Sequence, residues 1–254
     1  MIILKEKTIL LITLMLVFLS VDAQQYDRLI SDAHQKETSN QEESALQLYI
    51  QANKERPSEI EPLYKTAELY SRIGNRMDDP KTKEKYYNSS LNFAKQLLKL
   101  YPENDQSHVA MAIAYGRIAL TKSGKEKIVN VKEIKQHAEK ALEINQNNFK
   151  AWHILGKWHY EVSNLNFIES AAVKLFFGGL PNSSFTMAIN AYEKAKKLSP
   201  GFLLNYLELA KAYKKAGKTD MALQQLRKIV QSKSYTEDDP RIKKEANELI
   251  KDWE

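Results

Sequence analysis

Five histidines, no cysteine and 38 lysines and arginines bound the chemistry open to this 254-residue chain. Without cysteine there is no disulfide, no thiol nucleophile and no thiolate metal site, so a bound metal would have to rest on histidine and carboxylate. His153 and His159 lie six positions apart, which puts them on different faces of a helix and not in a metal pair. His159 occupies an apolar, regularly spaced run and reads as a packed core histidine. His34, His108 and His137 are far apart and have no ligand spacing around them. Gly124-Lys125 in TKSGKEK is no phosphate loop. The preceding glycine, Gly116, is too distant, Glu126 stands where Ser or Thr is needed, and no strand pattern precedes it. A nucleophile elbow and a paired-histidine zinc motif are both missing. The expectation is a non-catalytic chain with no cofactor and no metal.

The elements that carry these residues are helical, since no stretch sustains the alternation of a strand. Pro57, Pro102 and Pro200 each follow a helical pattern by about one turn, where proline ends a helix. The stretch Ala151 to Gly201 organises the rest. Trp152-x2-Leu155-Gly156-x2-His159 and Ala188-x3-Tyr192-x2-Ala195-x4-Pro200 resemble the two helices of a tetratricopeptide repeat. Twenty-nine steps separate His159 from Ala188, against nine in an ordinary repeat, so about 20 residues are inserted within one hairpin. The same phase predicts an all-α helical-hairpin solenoid with repeats at about 26–59, 60–104, 105–148, 149–202 and 203–236. A capping helix at about 240–253 should cover the last apolar face, with Asp239 as its cap and Pro240 in first position.

Within the insert, Leu165, Ile168, Ala172, Leu175 and Phe176 recur at helical steps, and Phe167, Val173 and Phe177 widen the apolar surface. Gly178-Gly179 then supplies a turn, and Ser183 or Ser184 caps a helix beginning near Phe185. Three placements follow for residues 165–180: a helical element folded over the groove as a lid, one running along the outside of repeat four, or a thickening of the core. The lid and the core placements both bury Phe176 and Phe177.

Residues 1–23 stand apart. Lys5 and Lys7 precede an uncharged run from Thr8 to Val21, and Val21-Asp22-Ala23 offers small residues at a cleavage position. This pattern predicts a signal peptide cleaved after Ala23 and a periplasmic protein. The alternative is an uncleaved anchor in the inner membrane, although about 14 apolar residues are few against the ~20 that span a bilayer. The net charge is +6 with a sequence pI near 9.1. The basic residues are spread among 32 acidic ones, which reads as a solvated surface and not as a nucleic-acid site. Chance accounts best for the two sequons at Asn88 and Asn182.

AWHILGKWHYEVSN, KLFFGGLP and AINAYEKAKKLSPG resemble the regulator of microtubule dynamics family, from about Gln41 to the end and most sharply between Trp152 and Phe202. That resemblance implies a non-catalytic repeat scaffold. The export-type start departs from the family's eukaryotic members, so microtubule binding is not carried over. In tetratricopeptide proteins the first helices supply the ligand-facing positions. Here these are Tyr64, Glu68 and Arg72, then Val109, Ile113 and Arg117. Further on they are Lys150, His153, Lys157, Tyr160 and Glu161, then Leu204, Leu207, Lys211, Lys214 and Lys215. An apolar and aromatic floor with a cationic bias suits an extended acidic peptide or an anionic amphiphile. The leading expectation is a protein or peptide partner. A carrier of a lipid or other apolar anion, with the insert as lid, is the alternative. Oligomeric state is not legible in these residues.

Overall fold

The computed structural model describes residues 24–254, apart from the side chains of Phe176 and Phe177; the expected export signal, 1–23, lies outside the described residues. Twelve helices and no strand make up the described chain. They are α1 (24–38), α2 (Glu42–Glu55), α3 (Ile60–Arg76), α4 (Pro80–Leu100), α5 (Asp105–Thr121) and α6 (Gly124–Ile144). There follow α7 (Phe149–Ser163), α8 (Phe167–Phe177), α9 (Phe185–Leu198), α10 (Leu203–Lys215), α11 (Thr219–Gln231) and α12 (Asp239–Trp253).

Local chemistry starts several of these helices. The Asp79 carboxylate accepts the Thr82 N–H at 2.8 Å ahead of Pro80, and Asn148 accepts the Ala151 N–H at 3.0 Å. Ser184 caps α9 through the Met187 N–H at 3.1 Å, as the sequence predicts. Asp239 behaves differently from expectation. Its Oδ2 turns back to accept the Tyr235 and Thr236 N–H groups at 2.7 and 3.0 Å, so it closes the preceding turn and leaves α12 without a side-chain cap.

Consecutive helices pair as α1/α2, α3/α4, α5/α6, α7/α9 and α10/α11, and α12 covers the end. Small residues permit the closest approaches. A Cβ on Gly74 would fall 2.7 Å from the Tyr86 Cβ, and one on Gly156 would fall 2.7 Å from the buried Tyr192 ring. Leu63, Ala67, Val109, Ala141 and Leu155 build a core running from α3 to α7, and Tyr192, Leu209, Leu226 and Ile242 continue it to α12. The first helices α3, α5, α7 and α10 adjoin one another as the inner, concave layer, with α4, α6, α9 and α11 outside them.

The insert is a helix, α8, with a capping box between Asn166 and Glu169 and a left-handed exit at Gly178 (φ +71°) and Gly179 (φ +85°). It rests against α6, on the outer layer. Phe167, Ile168 and Leu175 are exposed, so α8 is not added core, and it does not lie over the concave layer as a lid. The reason is its point of insertion. The added residues join α7 to the outer helix α9, which directs them to the outside of the neighbouring hairpin.

Candidate functional site on the concave face

Stacking the inner helices brings charged side chains from successive hairpins against one another. Lys150 of α7 donates to Glu68 at 2.5 Å and to the Tyr64 hydroxyl at 2.9 Å, both on α3. Burial raises the Glu68 pKa, but Lys150, Lys65 and Arg72 outweigh it and hold the carboxyl down at about 2. The Tyr64 hydroxyl is pushed up to about 12, by burial first and by Glu68 second. Further along, Lys157 lies 2.7 Å from Glu208 and 2.8 Å from Glu161. Lys211 reaches Glu208 at 3.4 Å and Glu245 of α12 at 2.7 Å. Glu208 is almost fully buried; burial pushes its pKa up, and Lys157 and Lys211 bring it below the ordinary value.

At the amino-terminal end Arg72 pairs with Glu42 and, at 3.3 Å, with Glu37. Arg117 differs from these cations. Its Nε donates to Ser71 Oγ at 3.0 Å and its Nη1 to Asn75 Oδ1 at 3.1 Å, and among the described residues it forms no ion pair. Burial lowers its pKa, though an arginine stays charged.

His153 donates from Nδ1 to Asn205 Oδ1 at 3.1 Å, because the Asn205 amide nitrogen is already committed to the Tyr192 carbonyl at 2.9 Å. Burial brings its pKa down to about 4, so at neutral pH it is an uncharged ring. Val109 and Leu207 are fully buried and belong to the core, which corrects their reading as ligand-facing floor. Ile113 and Tyr160 are half-buried. Lys214 stands 5.3 Å over the Trp253 ring of the capping helix, so it too has an internal contact.

The expected cationic bias is therefore largely neutralised from within. Glu42 and Glu208, which do the neutralising, escaped sequence reasoning because their partners come from other helices. The three-residue step from Glu208 to Lys211 was the one local signal. A histidine pair escaped it as well. His108 Nδ1 and His137 Nδ1 meet at 2.9 Å while His108 Nε2 donates to the Pro102 carbonyl, beside a cleft of about 920 Å³ between α6 and Gly178–Pro181. Among the described residues no group of three or more His, Cys, Asp or Glu is arranged to hold a metal ion.

Comparison with known proteins agrees with this architecture. The bovine regulator of microtubule dynamics protein 1 is 30% identical over 163 residues, covering 64% of this chain and 51% of its own length. The mouse protein of that name is 27% identical over 227 residues, covering 88% of this chain and 73% of its own. The chain thus spans about half the length of the bovine relative. A thermophilic TPR protein from Thermus thermophilus superposes with a TM-score of 0.66 at 16% identity, over 89% of this chain and 98% of that one. Residues 24–254 match the profile of the family described as regulator of microtubule dynamics protein 1-3, and the chain belongs to that family.

Proposed function

We propose that the protein is a non-catalytic interaction scaffold whose concave face takes an acidic, extended or amphipathic segment of a partner protein, anchored on Arg117. The observation that carries this reading is the contrast between Arg117 and its neighbours. Arg72, Lys150, Lys157 and Lys211 each face a carboxylate of the same chain, whereas the Arg117 guanidinium is held by two neutral oxygens. A sheltered guanidinium with no carboxylate in contact among the described residues is costly, and a ligand carboxylate would supply that contact with fork geometry. The export signal read in residues 1–23 would place that partner outside the cytoplasm.

A carrier for an acyl chain draws no support from the geometry. Apolar walls are needed there, and the concave face presents ion pairs, with α8 on the opposite layer. The test is fluorescence anisotropy with a labelled hexaglutamate peptide, and a hexaglutamine peptide as control. Arg117→Gln is expected to weaken hexaglutamate binding by at least about tenfold, the scale of one charged hydrogen bond. Equal affinity of the variant and the parent chain at low salt would refute the anchor.

A further inference from the structure

The turn between α11 and α12 reaches back to the start of α2 and the end of α3. Gln41 provides no side-chain cap for α2, and the N–H of Glu42 instead donates to Glu237 Oε1 at 2.6 Å, from a residue 195 positions later. The other Glu237 oxygen lies 3.0 Å from Arg76 Nη2, at the last residue of α3. Arg76 also faces Glu42 at 2.8 Å and Asp238 at 3.5 Å. A helix amino terminus and a guanidinium thus hold the acidic turn Glu237-Asp238 between α11 and α12, a combination suited to carboxylates. The turn is preformed by Asp239, whose carboxylate gathers the N–H groups of Tyr235 and Thr236. Asp238 also acts electrostatically on Arg72 and on Arg117, the anchor of the concave face.

This join is incompletely satisfied. Glu42 Oε2, Arg76 Nη1 and Asp238 Oδ1 are buried and have only ion-pair contacts, to Arg76 Nη2 at 2.8 Å, Asp238 Oδ2 at 3.5 Å and Arg241 Nη2 at 3.7 Å respectively, without a well-formed hydrogen bond. Three carboxylates, of Glu42, Glu237 and Asp238, crowd around Arg76, and Arg72 relieves the first of them. Buried polar atoms in this state cost stability, so the contact is one that a better-fitting ligand can replace.

We propose that Glu237-Asp238 is a built-in pseudo-ligand: it closes the superhelix by occupying the cationic end of the concave face, and an acidic partner segment with consecutive carboxylates displaces it. The inference rests on the reading of that face as an acid-binding groove and adds its regulation. Because the turn is tethered, it competes at a high effective concentration, and a partner must exceed that to open the ring.

The test uses the full chain, which has no native cysteine to interfere with labelling. Exposed Ser39 and Ser234 are replaced by cysteine and spin-labelled, with and without Glu237→Gln plus Asp238→Asn. The paired substitution keeps hydrogen-bond acceptors and removes charge, and circular dichroism checks that the helices remain. The label-to-label distance is expected to lengthen and broaden in the double variant. Hexaglutamate should bind it about tenfold more tightly than the parent chain, and saturating hexaglutamate should lengthen the distance in the parent chain. Unchanged distances would overturn the latch. Equal hexaglutamate affinities that both fall on Arg117→Gln would overturn it too while leaving the groove reading standing. Ends that separate without any hexaglutamate binding would overturn the displacement and the groove reading together.

Discussion

The concave face and the insert distribute polarity in opposite ways. On the concave face the Glu68 side chain is 11% and the Glu208 side chain 8% exposed, and both are carboxylates. On α8 Phe167 is 86%, Ile168 77% and Leu175 77% exposed, and all are large and apolar. Residue type alone would assign burial the other way round. The difference shows that burial here follows position in the stack. Inner-layer side chains are covered by the next hairpin whatever their chemistry, so buried carboxylates persist only because lysine and arginine arrive from neighbouring helices. The insert lies outside the repeat register, and no further hairpin comes to cover it.

The largest effect that would break this contrast is expected at Lys150. Lys150→Met leaves Glu68 sheltered without its nearest counter-ion and should cost about 3 kcal/mol or more in chemical denaturation at pH 7. Adding Glu68→Gln should recover most of that loss. A cost of less than about 1 kcal/mol for the single variant would show that the concave ion pairs are incidental.

An intermediate effect is expected with pH, in two windows. His153 has a folded pKa near 4 against an ordinary value of 6.5, so the unfolded chain binds protons first. Stability from that site is complete above about pH 6.5 and falls as the pH drops towards 4. The folded pKa of Glu68 is about 2 against an ordinary 4.5, so its contribution is complete above about 4.5 and falls as the pH drops towards 2. Each window is expected to carry on the order of 1–3 kcal/mol. The lower window should flatten in the Lys150→Met, Glu68→Gln double variant, and an unaltered acid profile there would contradict the assignment.

The smallest effect should come from the insert. Phe167→Ser with Leu175→Ser is expected to change unfolding free energy by no more than about 0.5 kcal/mol, because neither side chain is covered. A loss above about 2 kcal/mol would mean that α8 packs as core, and the contrast with the concave face would then disappear.

Much of the local structure was legible in the residues themselves. Gly156 opposite Tyr192, Ser184 as the cap of α9, the Gly178-Gly179 turn and the helical spacing of the insert are consequences of steric and hydrogen-bonding rules acting over a few positions. Hairpin phase pointed to the first helices as the inner layer, but it did not separate inward-facing positions from core ones, as Val109 and Leu207 show. The electrostatics of the concave face were not legible. Lys157 meets Glu208 across 51 positions, Lys150 meets Glu68 across 82, and Glu42 meets Glu237 across 195. Those pairings depend on the small rotation between hairpins, summed over the stack, and local periodicity carries no record of that sum. Composition and spacing therefore determined an all-helical repeat scaffold with a cation-rich inner side. Only the accumulated superhelical twist decided which of those cations are neutralised, that Arg117 has no carboxylate in contact among the described residues, and that the turn between α11 and α12 meets the start of α2.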